Sequence, residues 1–451
     1  MVKDNKILVV MHSADMAGAE LALLDTLDAI VDDLGMVPHF IMPRSGKLHE
    51  AVKERGWGKD QIEYDTWARP GVLKSTEDLF RTQTANMKAI KGIERVIDTI
   101  RPSIVLTNSI VIPWGAIAAG LKNIPHAWYV HEYGDIDHGL KFDQPMDEVL
   151  SDINRLSDLV IANSKAIESH LSKHIEPSKI ITSYIPYNFD ALEERSKVAL
   201  KESIFEEESL KIVITGRITP SKGQIDAVKA VGELLKEGHK VNLCMIGAVE
   251  DENYKLKIDK YIINNNLTNH ISHIKFTYNP FPYVKSADIG LNCSPIEAYG
   301  RVTFEYAALG LPVIGVNAGG TAEIVLNGQT GYTYEQGNYT DLKKQIKKYI
   351  KSPRLIKTHG KQGALHTRKM MEGDYSVENL SRRLKLTADQ PLGERKLPYY
   401  TERLVGFGDV AINYSRDTLH LSLKLVVIRL IKHTTVFRIL RKIKRILVRS
   451  S

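Results

Sequence analysis

The chain has 451 residues, 43% of them hydrophobic and 25% charged, which is the balance of a globular protein long enough for two domains. Its two cysteines, Cys244 and Cys293, both lie in apolar runs, so we expect small core residues rather than a disulfide or a metal site. The sequence has neither a signal-peptide pattern nor 18 uninterrupted apolar residues, and we expect no leader and no transmembrane helix.

The net charge of +7 is distributed unevenly. Residues 418–451 contain nine Lys and Arg and no Asp or Glu, and without them the net charge is −2. The basic character therefore belongs to this tail and not to the body of the chain.

The first half alternates short apolar strands with helical segments, which is typical of a parallel α/β sheet. The predicted strands are 7–11, 38–42, 103–107, 127–130, 159–162 and 180–184. The predicted helices are 18–30, 47–55, 87–100, 113–121 and 165–174, and a charge-rich segment over 193–208 ends this half.

Two positions in the first half are candidates for ligand contact. Gly18 opens the first helix, where a glycine lets the backbone approach an anion, and Glu20 is a carboxylate favoured by the helix dipole. The pattern is not G-x-G-x-x-G, so no dinucleotide is expected. His131 follows a strand, where ligands bind in open α/β sheets, although a lone His more often has a structural role.

The second half begins with a strand over 211–215, followed by the run G-R-I-T-P-S-K-G-Q. Arg217 and Lys222 on this glycine-flanked turn either clamp a diphosphate or are surface cations on a solvated turn. Further predicted strands are 241–247 and 271–276, and further predicted helices begin at 224, 254 and 283.

The stretch from 289 to 331 contains two strand–turn–helix units in succession. Strands are predicted at 289–293 and 312–316, and helices begin near Gly300 or Arg301 and at Thr321. Glu297 precedes the first of these helices and Glu305 lies one turn inside it. Both units direct helix N-terminal amides to one edge of the sheet, and this arrangement favours an anion.

The two Glu seven residues apart, with G-R-V-T between them and G-L-P-V-I-G-V-N-A-G-G-T-A-E after them, resemble the E-x7-E region of retaining family 4 glycosyltransferases. The resemblance covers roughly residues 5–390 and implies the GT-B fold, with two Rossmann-like domains facing across a cleft. It divides the chain into an acceptor domain (1–205), a nucleotide-sugar domain (206–373) and a crossover helix (374–390).

The resemblance also implies roles for single residues. It places the donor sugar on Glu297 and His131, the ribose on Glu305 and the diphosphate on Arg217 and Lys222. Further donor contacts are implied for Gly18 in the run A-G-A-E, where Ala17 replaces the usual Gly, for Thr277 near the base, and for Gly300, Arg301, Val302, Gly319 and Gly320. No metal and no cofactor are expected, because fixed cations can replace a metal.

Residues 391–417 are predicted to be a linker and 418–451 a basic amphipathic helical tail. Apolar residues recur at helical spacing, namely Val436, Ile439, Leu440, Ile443, Ile446 and Leu447. We expect this tail to bind an anionic membrane surface, while a partner protein, docking on the chain itself and nucleic acid are the alternatives. Nucleic acid is thus only an alternative for the tail, and the expected partners are the nucleotide sugar, the glycan acceptor and the membrane surface.

The resemblance implies a retaining, metal-independent hexosyltransferase. It would transfer a sugar from a nucleotide-diphosphate sugar to a lipid-linked or cell-surface glycan acceptor, at the cytoplasmic face of the membrane. Another GT-B enzyme, such as a phosphorylase or an epimerase, and a non-catalytic accessory subunit are the alternatives.

Overall fold

A computed structural model describes residues 5–69, 76–142, 144–200 and 203–391. The described chain forms two parallel β-sheets with helices on both faces of each sheet. The predicted tail lies outside the described residues, and so does the predicted linker beyond residue 391.

The first domain is built on nine strands. These are β1 (Lys6–Val10), β2 (Val37–Met42), β3 (Gly58–Gln61), β4 (Ala68–Arg69), β5 (Ile104–Asn108), β6 (His126–Val130), β7 (Lys141–Phe142), β8 (Leu159–Ala162) and β9 (Ile180–Thr182). Seven of them form a parallel sheet in the order β3-β2-β1-β5-β6-β8-β9, whereas β4 and β7 pair with each other in antiparallel orientation. The order reverses beside β1, so its carboxyl end borders a cleft suited to a ligand.

The helices of the first half surround this sheet. They are α1 (Gly18–Leu34), α2 (Leu48–Glu54), α3 (Thr76–Ile100), α4 (Trp114–Leu121), α5 (Asp135–His138), α6 (Met146–Leu156), α7 (Lys165–Leu171) and α8 (Phe189–Ser196). Helices α5 and α6 and the strands β3, β4 and β7 were not predicted, and α3 begins earlier than expected.

Both faces of the first sheet are apolar, as expected for a parallel sheet covered by helices. Leu8 and Val10 of β1 point into one core, and Ile7 and Val9 point into the other, so successive residues alternate between the two faces. The strand is therefore apolar throughout, which is the signal that predicted it.

The second domain repeats this plan. Its strands are β10 (Leu210–Thr215), β11 (Val241–Ile246), β12 (Ile271–Ile274), β13 (Ile289–Asn292), β14 (Val313–Val316) and β15 (Gly331–Tyr334). Its helices are α9 (Gln224–Lys236), α10 (Glu252–Asn264), α11 (Phe281–Lys285), α12 (Arg301–Ala308), α13 (Gly319–Ile324), α14 (Tyr339–Lys351), α15 (Arg354–Met370) and α16 (Val377–Asp389). The sheet is parallel, in the order β12-β11-β10-β13-β14-β15, and the predicted strands before α12 and α13 are neighbours in it.

Several boundaries differ from the prediction by two residues. Helix α11 begins two residues before the expected start, because Pro282 is accommodated in a first helical turn, where its missing N–H costs nothing. Helix α13 begins at Gly319 rather than Thr321. Helices α14 and α15 were not predicted. Cys244 and Cys293 are buried free thiols, as expected.

The two domains are joined by more than the connecting segment. Leu380 and Leu384 of α16 lie in the core of the first domain together with Leu23 and Leu27 of α1. Conversely, Arg195 of α8 donates to the Tyr278 carbonyl of the second domain over 2.9 Å. The chain thus crosses between the domains twice, and no helix within the described residues is both long and apolar enough to cross a bilayer.

Candidate functional site

An ion pair lies at the carboxyl edge of the second sheet. Lys222, at the end of a 3-10 turn after β10, places its Nζ 2.6 Å from Oε1 of Glu297, which lies between β13 and α12. The side chains are 30% and 20% exposed, respectively. Burial raises the pKa of Glu297, but the Lys222 ammonium, Ser294 and the more distant His138 outweigh it, so that this pKa is lowered. Glu297 is therefore an ionised carboxylate at neutral pH.

Three glycines bring the surrounding loops together. Gly223, at φ +64°, lies so close to the Cys293 carbonyl that a Cβ would come within 2.1 Å of its oxygen. A Cβ on Gly319 would lie 2.2 Å from the backbone carbonyl oxygen of Glu297. A Cβ on Gly320 would lie 2.2 Å from the backbone carbonyl oxygen of Tyr299. The Gly320 N–H also donates to the Glu297 carbonyl over 2.8 Å. In this structure, Gly319 and Gly320 pack against the Glu297 backbone.

The N-terminus of α12 carries Gly300, Arg301 and Val302. Gly300 has φ +85°, a left-handed conformation that favours glycine. The Arg301 guanidinium lies 3.1 Å from Glu305 and 3.2 Å from Asp25 of α1 in the first domain. Val302 is half-buried. Arg301 therefore bridges the two domains at the entrance of α12.

Glu305 has different partners from Glu297. Besides Arg301, the Tyr187 hydroxyl donates to it over 3.3 Å, and the Tyr187 ring lies beneath the Arg301 guanidinium at 5.1 Å. Burial raises the pKa of Glu305 even though Arg301 acts in the opposite direction. The two carboxylates thus occupy separate environments, as their places in the turn and in the helix suggested.

Three other predicted site residues do not contact this pair directly and have different surroundings. Arg217 is 59% exposed and forms an ion pair with Glu250. Thr277 lies in the turn after β12, where its hydroxyl accepts from the Asn279 N–H over 3.3 Å. Gly18 opens α1, and a Cβ there would meet nothing within 4 Å, so that packing does not require a glycine.

His131 follows β6 in the first domain and is buried. Its Nε2 lies 2.8 Å from Oδ1 of Asn108, its carbonyl accepts from Asn163 over 3.1 Å, and its ring packs on Tyr129. Burial and the neighbouring His12 lower the pKa of His131 to about 3. The ring is therefore neutral, and with Asn108 as acceptor its Nε2 carries the proton.

The structure surrounds His131 with polar residues that were not predicted as site residues. His12 follows β1, and its Nε2 lies 3.3 Å from the buried carboxylate of Glu20. Within the described residues, buried His12 Nδ1, Asn108 Nδ2 and Asn163 Oδ1 lack hydrogen-bond partners. Unpaired buried polar atoms are costly, so this cluster is suited to a hydroxyl-bearing ligand or water. His12, Asn108 and Asn163 all lie at the ends of strands, and this position is the sequence signal that could have identified them as site residues.

Glu323 of α13 holds the domains together beside this cluster. Its carboxylate accepts from the N–H groups of Lys165 and Ala166, at the start of α7, over 3.1 and 2.7 Å, and from the Tyr184 hydroxyl over 2.7 Å. A carboxylate at a helix N-terminus is favoured by the free amides and the dipole. The second domain thus caps a helix of the first. Across the described residues, no group of three or more metal-ligating side chains is assembled.

Comparison with known proteins finds a family match over most of the second domain. Residues 197–365 match the family of Glycosyl transferases group 1. The chain is 29% identical over 163 residues to the capsular polysaccharide biosynthesis glycosyltransferase CapM of Staphylococcus aureus, a match covering 36% of this chain and 41% of CapM. It is 28% identical over 306 residues to the uncharacterized glycosyltransferase MJ1178 of Methanocaldococcus jannaschii, covering 63% of this chain and 78% of that protein.

The fold is shared with solved structures. The crystal structure of Anabaena Alr3699/HepE in complex with UDP superposes with a TM-score of 0.70 at 19% identity, covering 85% of this chain and 99% of HepE. The described residues therefore have the GT-B fold, with its two Rossmann-like domains, and the predicted fold class is confirmed for this part of the chain.

Proposed function

We propose, from the match of residues 197–365 to the family of Glycosyl transferases group 1, that the chain is a retaining enzyme that transfers a sugar from a nucleotide-diphosphate sugar to a hydroxyl acceptor. The observation that carries the proposal is the Lys222–Glu297 ion pair at the carboxyl edge of the second sheet, beside the N-terminus of α12. It combines a fixed cation, free helix amides and an ionised carboxylate at the place where α/β sheets bind ligands.

In this proposal, Lys222 and the amides at the start of α12 stabilise the charge that develops on the leaving diphosphate. Arg217 joins them by exchanging its exposed partner Glu250 for a phosphate oxygen, which its 59% exposure permits. These groups supply positive charge without a metal ion. No cofactor is proposed.

Glu297 and Glu305 bind different parts of the donor in the proposal. Glu297 is ionised and accepts hydrogen bonds from the sugar hydroxyls, whereas Glu305 accepts the ribose hydroxyls in exchange for Tyr187. Gly319 and Gly320 act through the backbone, because they hold the Glu297 loop in place. The Thr277 turn provides main-chain contacts to the base.

His131 acts as a neutral hydrogen-bonding group on the sugar. Its lowered pKa excludes an imidazolium at neutral pH, and its Nε2 proton is engaged by Asn108. The ring therefore offers Nδ1 as an acceptor, and the hydroxyl-binding cluster around it lies on the first domain, where the acceptor is proposed to bind. Attack occurs on the face that the leaving group occupied, so configuration is retained.

The acceptor is proposed to be a lipid-linked or cell-surface glycan precursor at the cytoplasmic face of the membrane. The name of CapM places that relative in capsular polysaccharide biosynthesis, and HepE was crystallised with UDP. The nine basic residues of the tail would hold the chain at an anionic surface. Deletion from Thr418 onward should reduce membrane partitioning, and unchanged partitioning would refute this part of the proposal.

A thermal-shift screen of nucleotide sugars on the purified chain tests the donor site. A ligand that binds the native state raises the melting temperature. The quantity compared is the rise that the ligand causes in each variant, not the melting temperature of the variant without ligand. We expect one nucleotide sugar to shift the wild type and the control Lys240→Ala, whose lysine pairs with Glu208 on the surface, but not Lys222→Ala. A shift that survives in Lys222→Ala would contradict the diphosphate role.

A second assay separates the proposed transferase from the other functions compatible with the fold. Incubation of the responding nucleotide sugar with membrane lipid extract should release the nucleoside diphosphate and glycosylate the extract. Consumption of free phosphate would instead identify a phosphorylase, and a changed sugar nucleotide without an acceptor would identify an epimerase. A chain that binds no donor and transfers no sugar would be an accessory subunit.

A further inference from the structure

Positive charge within the described body of the chain is concentrated in two consecutive helices. Residues 339–370, which include α14 and α15, contain ten Lys and Arg and one acidic residue, Asp341, for a net charge of +9. With the tail left out, the net charge of the chain is −2, so the remainder outside these helices is strongly acidic. Such a local excess makes a potential that attracts anions.

The lysines of α14 line a groove on the outside of the second domain. The groove has a volume of about 690 Å³. Its five lysines are Lys343, Lys344, Lys347, Lys348 and Lys351, and its acidic lining residues are Glu237 and Asp341. The opposite side of the helix is buried in the core through Leu342, Gln345, Ile346 and Tyr349. The lysines thus share one face by the 3.6-residue period.

These lysines are held close together against their mutual repulsion. Glu237, at the end of α9, accepts from Lys343 over 2.9 Å and from Lys347 over 2.8 Å, and these two hydrogen bonds lower the pKa of Glu237 to about 2. Lys348 lies over the Tyr332 ring at 3.9 Å, and burial together with Lys344 lowers its pKa. Glu237 thus holds Lys343 and Lys347 in place, and the Tyr332 ring holds Lys348.

Lys344 and Lys351 complete this face. Both are exposed, and neither has an ion-pair partner within the described residues. They are seven residues apart, so about 10 Å separates them along the helix axis. The groove therefore contains two ammonium groups without an ion-pair partner among the described residues, on Lys344 and Lys351. The ammonium groups of Lys343, Lys347 and Lys348, which do contact a partner, lie between and beside them.

We propose that this groove, formed by the five lysines of α14, binds a segment of a polyanionic polymer whose repeating units carry phosphate or carboxylate groups. The proposal rests on charge and shape and does not depend on the proposed transferase activity. A groove fits a chain better than it fits a flat bilayer. In addition, no large exposed hydrophobic side chain lies on α14, whereas a helix that lies in a membrane interface needs an apolar face toward the lipid.

Fluorescence anisotropy of labelled inorganic polyphosphate with the full chain tests this site. The variant is Lys344→Gln/Lys351→Gln, and the matched control is Lys257→Gln/Lys260→Gln, which removes two exposed lysines from α10. The basic tail is present in every protein and contributes equally. We expect the α14 variant to bind about tenfold more weakly than the control at low salt, and the slope of log affinity against log salt to fall by about 1.4, at roughly 0.7 for each contact.

Equal affinity and equal salt slope in the two variants would overturn the proposal. A parallel titration with vesicles containing phosphatidylglycerol distinguishes a membrane surface. If the α14 variant lost only vesicle binding and kept polyphosphate binding, the face would be a membrane contact, and the polymer site would be refuted.

Discussion

The Lys222–Glu297 pair allows a quantitative test of how the site is held together. Lys222→Met removes the ammonium and keeps most of the aliphatic length, leaving the Glu297 carboxylate, whose side chain is 20% exposed, without its cation. Removing one partner of a fully buried pair costs about 3–5 kcal/mol. Because both side chains retain some exposure, we expect a smaller loss of about 1–2 kcal/mol in the free energy of unfolding.

The loss should depend on pH in a defined direction. In the wild type the pKa of Glu297 is lowered, so the pair contributes stability above the unfolded pKa, and this contribution disappears as the pH falls through the folded pKa. In Lys222→Met the effect of burial dominates and raises this pKa. The stability difference between the variant and the wild type should therefore be smaller at pH 4 than at pH 7.

The pH dependence of this stability loss can be measured by urea unfolding at pH 4 and pH 7. The proteins compared are the wild type, Lys222→Met, Glu297→Gln and the double variant. The double variant has no buried charge, so it should recover most of the stability that Lys222→Met loses at pH 7. An equal loss at both pH values, or a double variant no more stable than Lys222→Met, would show that packing rather than charge accounts for the effect.

Three further predictions concern the supporting structure. Glu323→Ala removes the cap that the second domain places on α7 and should lower the free energy of unfolding by about 2 kcal/mol, measured as a lower urea midpoint. Gly320→Val places a Cβ against the Tyr299 carbonyl and should abolish the nucleotide-sugar thermal shift, whereas Gly363→Ala, whose Cβ would lie at an ordinary contact distance of 3.4 Å from Ala307, should keep it. Burial raises the pKa of Glu132 to about 7, so stability should fall as pH rises from about 4.5 to 7, by roughly 3 kcal/mol, and Glu132→Gln should remove this dependence in urea unfolding.

The apolar strands of both sheets were predictable because their signal is local. Ile7 to Val10 are buried on both faces, so an unbroken apolar run identifies the strand without knowledge of its neighbours. The same holds for β13 and β14. Strand β3 contains Gly58 and Lys59 and ends the sheet, so pairing with β2 forms it although its composition does not indicate a strand. Helix α6 was missed although its apolar residues recur at helical spacing.

The positions of several candidate site residues were also predictable from local signals. Turn and helix signals place Glu297, Arg301 and Glu305 around the start of α12, and the structure has them there. Gly319 and Gly320 were named as donor contacts, and in the structure they lie against the backbone of Glu297 and Tyr299. The identity of that neighbour follows from the pairing of β13 with β14, which no local pattern specifies.

The ion-pair partners that connect separate loops or domains could not be predicted, because they are distant in sequence. Lys222 pairs with Glu297, and Arg301 reaches Asp25 in the other domain. A local pattern sets which edge of the sheet a side chain occupies, but the pair that forms there depends on how two loops and two domains meet. The electrostatic state of the site depends on these contacts, since the pKa of Glu297 is lowered by Lys222 and would otherwise be raised by burial. An E-x7-E spacing therefore predicts where the carboxylates lie, whereas their ionisation follows only from the folded structure.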